Sequence, residues 1–275
     1  MADLSPRLSV IIVNVNTRDL LAACLESLTR QDVLGALELI VVENGSTDGS
    51  AEMVRQRYPA CKLVRMEETV GFGAANNVGA RNSTAPLLLF LNSDTEVHAG
   101  SLGELLGALG EHPEWGVAGG MIRDDDDDLE RSKGCFPTLT AMLINRLLAD
   151  LPPLRPALGG HAHQHWSGYD RPHRVDWVTG AYLWIRRDVF EKLEGFDERI
   201  FMYCEDTDLC YRARESGQAC WYFPLGSITH HRGRSEVPRP RKKMLNEALH
   251  YFAGKHLRSP RFWLTRVAFW ILSKQ

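Results

Sequence analysis

The chain lacks any apolar run approaching the ~18 residues that suggest a transmembrane helix, so none is predicted in its 275 residues. It has little net charge, −3, and so the molecule as a whole lacks the strong positive field of a nucleic-acid binder. None of its six cysteines forms a CxxC pair, and no dense disulfide framework is apparent. Met1–Arg7 shows no charged segment leading into an apolar one, so no secretory signal is predicted. These absences point to reduced thiols and a cytoplasmic location. There is no GxxxxGK[ST], no GxSxG, no HExxH and no internal repeat. Gly71-Phe72-Gly73-Ala74-Ala75-Asn76 lacks the third glycine of GxGxxG and does not follow the first predicted strand, which sets dinucleotide binding aside.

What remains is an ordinary globular composition, 44% hydrophobic and 24% charged. The length suits one large α/β domain, or one domain with an added subdomain. Charge is unevenly spread: residues 226–275 hold 11 Lys/Arg against 2 Asp/Glu, a balance of +9 that leaves −12 for the rest. Such a tail suits an anionic partner, a phospholipid surface first. Leu257–Leu272 sets Phe262, Trp263, Phe269 and Trp270 among Arg258, Arg261 and Arg266. An amphipathic helix lying in a membrane interface is one reading; a helix packed on the body or on a second subunit is the other.

Leu8–Val13, Leu37–Val42, Cys61–Arg65 and Pro86–Leu91 read as short buried strands, with helices predicted over Asp19–Leu28, Ala51–Tyr58 and Ala74–Arg81. The alternation implies βαβ units, an α/β class and a mostly parallel sheet. Farther on, Val175–Arg186 reads as strand-turn-strand, Arg187–Leu193 and Tyr203–Glu215 as helices, and Ala219–Phe223 as a strand. Asp124–Asp128 reads as a solvated loop. Residues 151–174 read as a loop or lid in which His161, His163 and His165 alternate without a fixed frame for a metal.

Ligands of such sheets bind beyond the carboxyl ends of the strands, where Glu43 and Asp94 fall. A carboxylate such as Asp94 or Glu96 after a buried strand can hold a hard cation against a diphosphate. Glu43 can accept from a pyrimidine N3–H, or cap the following helix. Glu205-Asp206 opens a helix, where the dipole alone favours carboxylates; a general base is the functional alternative. His230, in His230-His231-Arg232-Gly233, is a metal-ligand or phosphate-donor candidate.

Taken in order, SVIIVNVNT (9–17), VVENGSTDGS (41–50), GFGAANNVGA (71–80), FLNSDTEV (90–97), VTGAYLWIRRDVFEKLEGFDE (178–198), FMYCEDTDLCYRAR (201–214) and HHRGRS (230–235) resemble the family 2 glycosyltransferases. Within the family the chain looks most like bacterial rhamnosyltransferase-type enzymes of surface-polysaccharide assembly. The resemblance implies a GT-A fold: a Rossmann-like central sheet with helices on both faces and a small acceptor-side subdomain. It implies a transferase domain over 1–235, with a nucleotide-binding half (1–100) and an acceptor-binding half (101–235), followed by a basic helical tail (236–275).

The resemblance also implies roles. Asn14, Asn16 and Glu43 would contact the nucleoside, although the family usually has Asp where Glu43 stands. Asn92 and Asp94 occupy the family's DxD metal motif, its first Asp replaced, so Mg²⁺ or Mn²⁺ would rest on Asp94 and His230. Asn77, Gly180 and Ala181 would line the donor-sugar side. Asp206, with Glu205 beside it, would be the catalytic base of an inverting transfer from a dTDP- or UDP-sugar. The acceptor would be a saccharide or lipid-linked hydroxyl, reached at the inner face of the cell membrane. Two other readings compete: a nucleotidyltransferase that makes sugar nucleotides, which needs a basic glycine loop absent from Asn14–Asp19, and a non-catalytic sugar-nucleotide-binding protein.

Overall fold

The computed structural model describes residues 5–137, 168–231 and 240–256. His161, His163, His165 and the segment Leu257–Leu272 lie outside the described residues. Strands β1 (Leu8–Asn14), β2 (Leu37–Asn44), β3 (Lys62–Met66) and β4 (Leu87–Asn92) run parallel in the order β3-β2-β1-β4. Helices α1 (Arg18–Thr29), α2 (Ser50–Arg57) and α3 (Phe72–Arg81) connect them.

The apolar runs are continuous because both faces of β1 are covered. Leu8, Val10 and Ile12 pack with Leu21, Leu25 and Leu28 of α1 and with Met53 and Val54 of α2. Ile11 and Val13 face the other way, into a core shared with Ala75 and Ala80 of α3. The approach of α3 to β1 requires Gly79, where any Cβ would overlap the Ile11 side chain. A larger residue there would be overpacked.

Past β4 the sheet becomes mixed. Short β5 (Thr95–Val97) leads to α4 (Ser101–Glu111) and β6 (Trp115–Arg123), two elements with no counterpart in the sequence reading. Gly103, Gly107 and Gly110 dilute the helical signal of α4, yet Leu102, Leu105, Leu106 and Leu109 fill the same core as α1. After β7 (Lys133–Gly134), β8 (His173–Val175) and β9 (Trp177–Val178) comes β10 (Tyr182–Arg186), inserted antiparallel between β4 and β6. Then follow α5 (Arg187–Lys192), α6 (Glu205–Glu215) and β11 (Ala219–His230). Strand β11 lies parallel to β6 and antiparallel to β5, and runs seven residues beyond the strand expected over Ala219–Phe223.

The last described helix, α7 (Arg241–His256), is tied to the body through Asp208 of α6. The Asp208 carboxylate, with no exposed surface, accepts from Lys255 Nζ at 2.6 Å, His256 Nε2 at 2.6 Å and Arg212 Nε at 2.7 Å. Burial alone would raise its pKa, but these donors outweigh burial and hold it below the usual 3.8. A depressed folded-state pKa contributes stability that is complete above the unfolded value and fades as pH falls through the folded one. Asp208→Asn is therefore expected to lose about 1.5–3 kcal/mol at pH 7, the value of charge-assisted bonds, with the gap from wild type narrowing below pH 3.8. Urea unfolding at pH 7 and pH 3 checks both. No helix among the described residues is long and apolar enough to cross a membrane.

Candidate active site

Four parallel strands end at one edge of the sheet, and the chain returns to that edge at β10 and α6. At the end of β1, Asn14 Nδ2 donates to Glu43 Oε1 at 2.8 Å. Glu43, at the end of β2, is 2% exposed, and its Oε2 accepts from Ser50 Oγ at 3.0 Å. Burial pushes its pKa up, against the donors Ser46, Ser50 and Asn14. Asn16 sits in the left-handed region, φ +50°, and its Oδ1 accepts from the Thr47 N–H at 2.8 Å, which ties the two loops together. Asparagine tolerates that conformation better than most residues.

Thr17 Oγ1 bonds to Asn14 Oδ1 at 2.5 Å and to Ser93 Oγ at 2.8 Å. This bridge, which the sequence reading did not single out, joins the loop after β1 to Asn92-Ser93-Asp94. Asp94 is 5% exposed. His230, at the end of β11, reaches it with Nε2 3.2 Å from Asp94 Oδ1. Asn92 Nδ2 lies 3.3 Å from the same ring nitrogen. The opposite ring nitrogen, Nδ1, faces both carboxylate oxygens of buried Glu130 at 3.2 Å. Burial disfavours charge on this imidazole, but the acceptors Asp94 and Glu130 outweigh it and raise His230 to about 9.

On the other side, the Ala181 carbonyl accepts from the Asn92 N–H at 3.2 Å, and the Gly180 N–H donates to Asp206 Oδ2 at 2.9 Å. The segment 180–181 thus links the end of β4 to the start of α6. Asp206 Oδ1 also accepts from the Thr207 N–H at 2.6 Å and hydroxyl at 3.1 Å. Just before α6, Tyr203 and Cys204 both hold left-handed backbone, φ +69° and +68°. This costs roughly 1–2 kcal/mol each, the kind of local strain that gathers at functional sites.

Glu205 and Asp206 differ in kind. Glu205 is sealed, 6% exposed, and its Oε2 has no hydrogen-bond partner. Burial, then the neighbouring Asp206 charge, raises it to about 8. Asp206 keeps part of its surface open, and its donors counter the upward push of burial. Burial thus places the proton on Glu205 in preference to Asp206, whose donors favour its carboxylate form. A raised folded-state pKa contributes stability that is complete below the unfolded value, 4.5, and lost as pH rises through about 8. Glu205→Gln should match wild type in thermal midpoint near pH 5 and exceed it at pH 9. A pH series of melting curves checks this; equal loss in both proteins on the alkaline side would contradict it.

Asn77, expected on the donor-sugar side, uses its amide within the protein. It is 5% exposed, and its Nδ2 donates to the Phe196 carbonyl at 2.9 Å and Glu198 Oε1 at 3.0 Å. Its Oδ1 accepts from the Phe196 N–H at 2.8 Å. The whole amide clamps the turn at 195–198 onto α3. Asp124–Asp128 is largely solvated, as expected, but Asp124 Oδ1 organises the turn and Asp125 bonds His231 Nδ1. A cavity of about 620 Å³ opens elsewhere, lined by Lys133, His173, Arg174 and Arg214 among others, and none of the expected site residues line it.

Residues 9–193 match the family described as Glycosyl transferase family 2. The chain belongs to glycosyltransferase family 2. It is 31% identical over 210 residues to the N-acetylglucosaminyl-diphospho-decaprenol L-rhamnosyltransferase of Mycobacterium tuberculosis, covering 72% of this chain and 68% of that one. It is 25% identical over 263 residues to the Rhamnosyltransferase WbbL of Escherichia coli K12, covering 92% and 95%. Among solved structures it resembles S. aureus TarS 1–349 in complex with UDP-GlcNAc, with TM-score 0.63 and 18% identity, covering 92% of this chain and 67% of that one. That likeness establishes the GT-A architecture of this glycosyltransferase.

Among the described residues no group of three or more His, Cys, Asp or Glu forms a complete metal site. Asp94 and His230 nevertheless suit a small dication. Their facing atoms are 3.2 Å apart, a spacing that adjacent ligands with bonds of about 2.1 Å also take, once a cation has displaced the Nε2 proton that Asp94 now holds. Magnesium-type sites commonly combine one or two protein ligands with substrate phosphates and waters.

Proposed function

We propose that this glycosyltransferase moves rhamnose or a similar sugar from a dTDP- or UDP-sugar to a saccharide or lipid-linked hydroxyl, with inversion, in cell-surface polysaccharide synthesis. The observation that carries the reading is the Gly180–Asp206 bond. It presents one partly open carboxylate at the sheet edge where Asn92-Ser93-Asp94 also ends. The relatives' names favour rhamnose and a diphospholipid-linked acceptor.

Asn14, Asn16 and Glu43 form the nucleoside end, with the Thr17–Ser93 bridge fixing its distance from the diphosphate end. Asp94 and His230 would hold Mg²⁺ or Mn²⁺, which would supply positive charge against the leaving diphosphate. Gly180 and Ala181 shape the floor between donor sugar and acceptor. Asp206 accepts the acceptor hydroxyl's proton as that oxygen attacks the anomeric carbon. Glu205, protonated and sealed behind it, keeps a second negative charge away from the base. One displacement at carbon inverts its configuration.

The test is a donor panel, dTDP-rhamnose included, with Mn²⁺ and a prenyl-diphosphate N-acetylglucosamine acceptor. The product linkage is read by NMR. The expected result is transfer with an anomeric configuration opposite to the donor's. Retention would defeat the inverting mechanism. Donor binding without transfer to any saccharide would favour the non-catalytic binding protein.

A further inference from the structure

The acidic hairpin after β6 is built more firmly than a solvated loop requires. Asp124 Oδ1 accepts from the Asp126 N–H at 3.1 Å and the Asp128 N–H at 2.9 Å, which fixes the turn. The Glu130 N–H donates to the Ile122 carbonyl at 2.8 Å and brings the chain back alongside β6. Glu130 is thereby held with only 7% exposure, a hundred positions from His230 and in contact with its ring. The neighbouring His231 is gripped from both sides, Nδ1 by Asp125 and Nε2 by Glu96 Oε1 at 2.8 Å. Its N–H donates to the Asp94 carbonyl at 2.8 Å. The two histidines therefore sit between acidic arms at 94–96 and 124–130.

We infer that Glu130 is a positioning residue for metal binding: it takes the Nδ1 proton of His230 as a hydrogen bond and so turns Nε2 toward Asp94. An imidazole has two chemically distinct nitrogens, and the bond made by one decides what the other can ligate. A carboxylate behind a ligating histidine also fixes ring rotation and increases ligand basicity. A carboxylate facing both ways would confuse the arrangement; here Asp94 meets one nitrogen and Glu130 the other. The inference rests on the Asp94–His230 metal reading above.

The experiment titrates Mn²⁺ into wild type, Glu130→Gln, Glu130→Ala, Asp125→Asn and Asp94→Asn with dTDP present, reading free Mn²⁺ by electron paramagnetic resonance. Mn²⁺ dependence of turnover is measured in parallel, and circular dichroism melting verifies folding. Glu130→Ala is expected to weaken Mn²⁺ binding about 10–100-fold. Glu130→Gln, which keeps an acceptor for Nδ1–H and the same volume, should fall between and retain the fold if alanine does not. Both should regain most of their kcat at saturating Mn²⁺. Asp125→Asn, on the exposed arm, should stay within about twofold. If both Glu130 variants bind Mn²⁺ like wild type while Asp94→Asn does not, Glu130 is only a structural partner and the inference fails alone. If wild type binds Mn²⁺ no better than Asp94→Asn, the metal reading fails and takes the inference with it.

Discussion

Asp206→Asn is expected to slow transfer by about 10²–10⁴-fold, the range associated with a positioned general base. Donor affinity should be nearly intact. Asparagine keeps one oxygen, which can accept either the Gly180 N–H, now 2.9 Å from Oδ2, or the Thr207 N–H on Oδ1, while its amide nitrogen faces the other donor. What is lost is basicity and one of these two loop bonds; Asp206→Ser, which fills less of the site and also lacks the base, serves as the control for the lost bond. The loss should therefore appear in kcat and not in the donor's binding constant. Pre-steady-state transfer rates, paired with calorimetric donor titrations, separate the two. Turnover like wild type would remove Asp206 from the chemistry, and a collapse of donor binding would reassign it to the donor pocket.

Asp94→Asn should lower kcat/KM by about 10²–10³-fold, comparable with deleting one fixed electrostatic partner of a developing anion. Two effects combine. The charge facing His230 at 3.2 Å disappears, and the cation that would offset the leaving diphosphate loses its one anionic protein ligand among the pair. The signature is metal dependence: high Mn²⁺ should restore part of the rate in Asp94→Asn and none in Asp206→Asn. Equal responses to Mn²⁺ in the two variants would contradict the division of labour between them.

The first hundred residues were readable because their physics is local. Parallel strands covered on both faces must be near-continuously apolar, and residues 10–13, 39–42 and 87–91 are. Their carboxyl ends, hence Glu43 and Asp94, follow directly. Helix α4 was not legible because its glycines weaken propensity while its four core leucines act only once β6 and β11 are in place. Strand β11 was cut short because Pro224, Leu225 and Gly226 interrupt its pattern, although the chain resumes pairing with β6 at Ser227. Glu130 could not be found by spacing at all: its partner lies a hundred residues away, and beside an aspartate run it looks like one more surface charge. The bonds Asn77 makes within the protein were hidden for the converse reason. It sits in a motif that suggests ligand contact, yet its amide matches the Phe196 backbone so well that it closes a turn. The left-handed pair Tyr203 and Cys204 carries no glycine to announce it.

The account stands on the placement of one donor molecule. Crystals of the wild-type enzyme grown with Mn²⁺ and a non-hydrolysable dTDP-sugar phosphonate would locate it. The diphosphate should lie against Asp94 and His230, with the anomeric carbon exposed on its far side to the Asp206 carboxylate. A donor bound instead in the cavity beside Lys133 and Arg214, or one whose anomeric carbon faces away from Asp206, would contradict the mechanism.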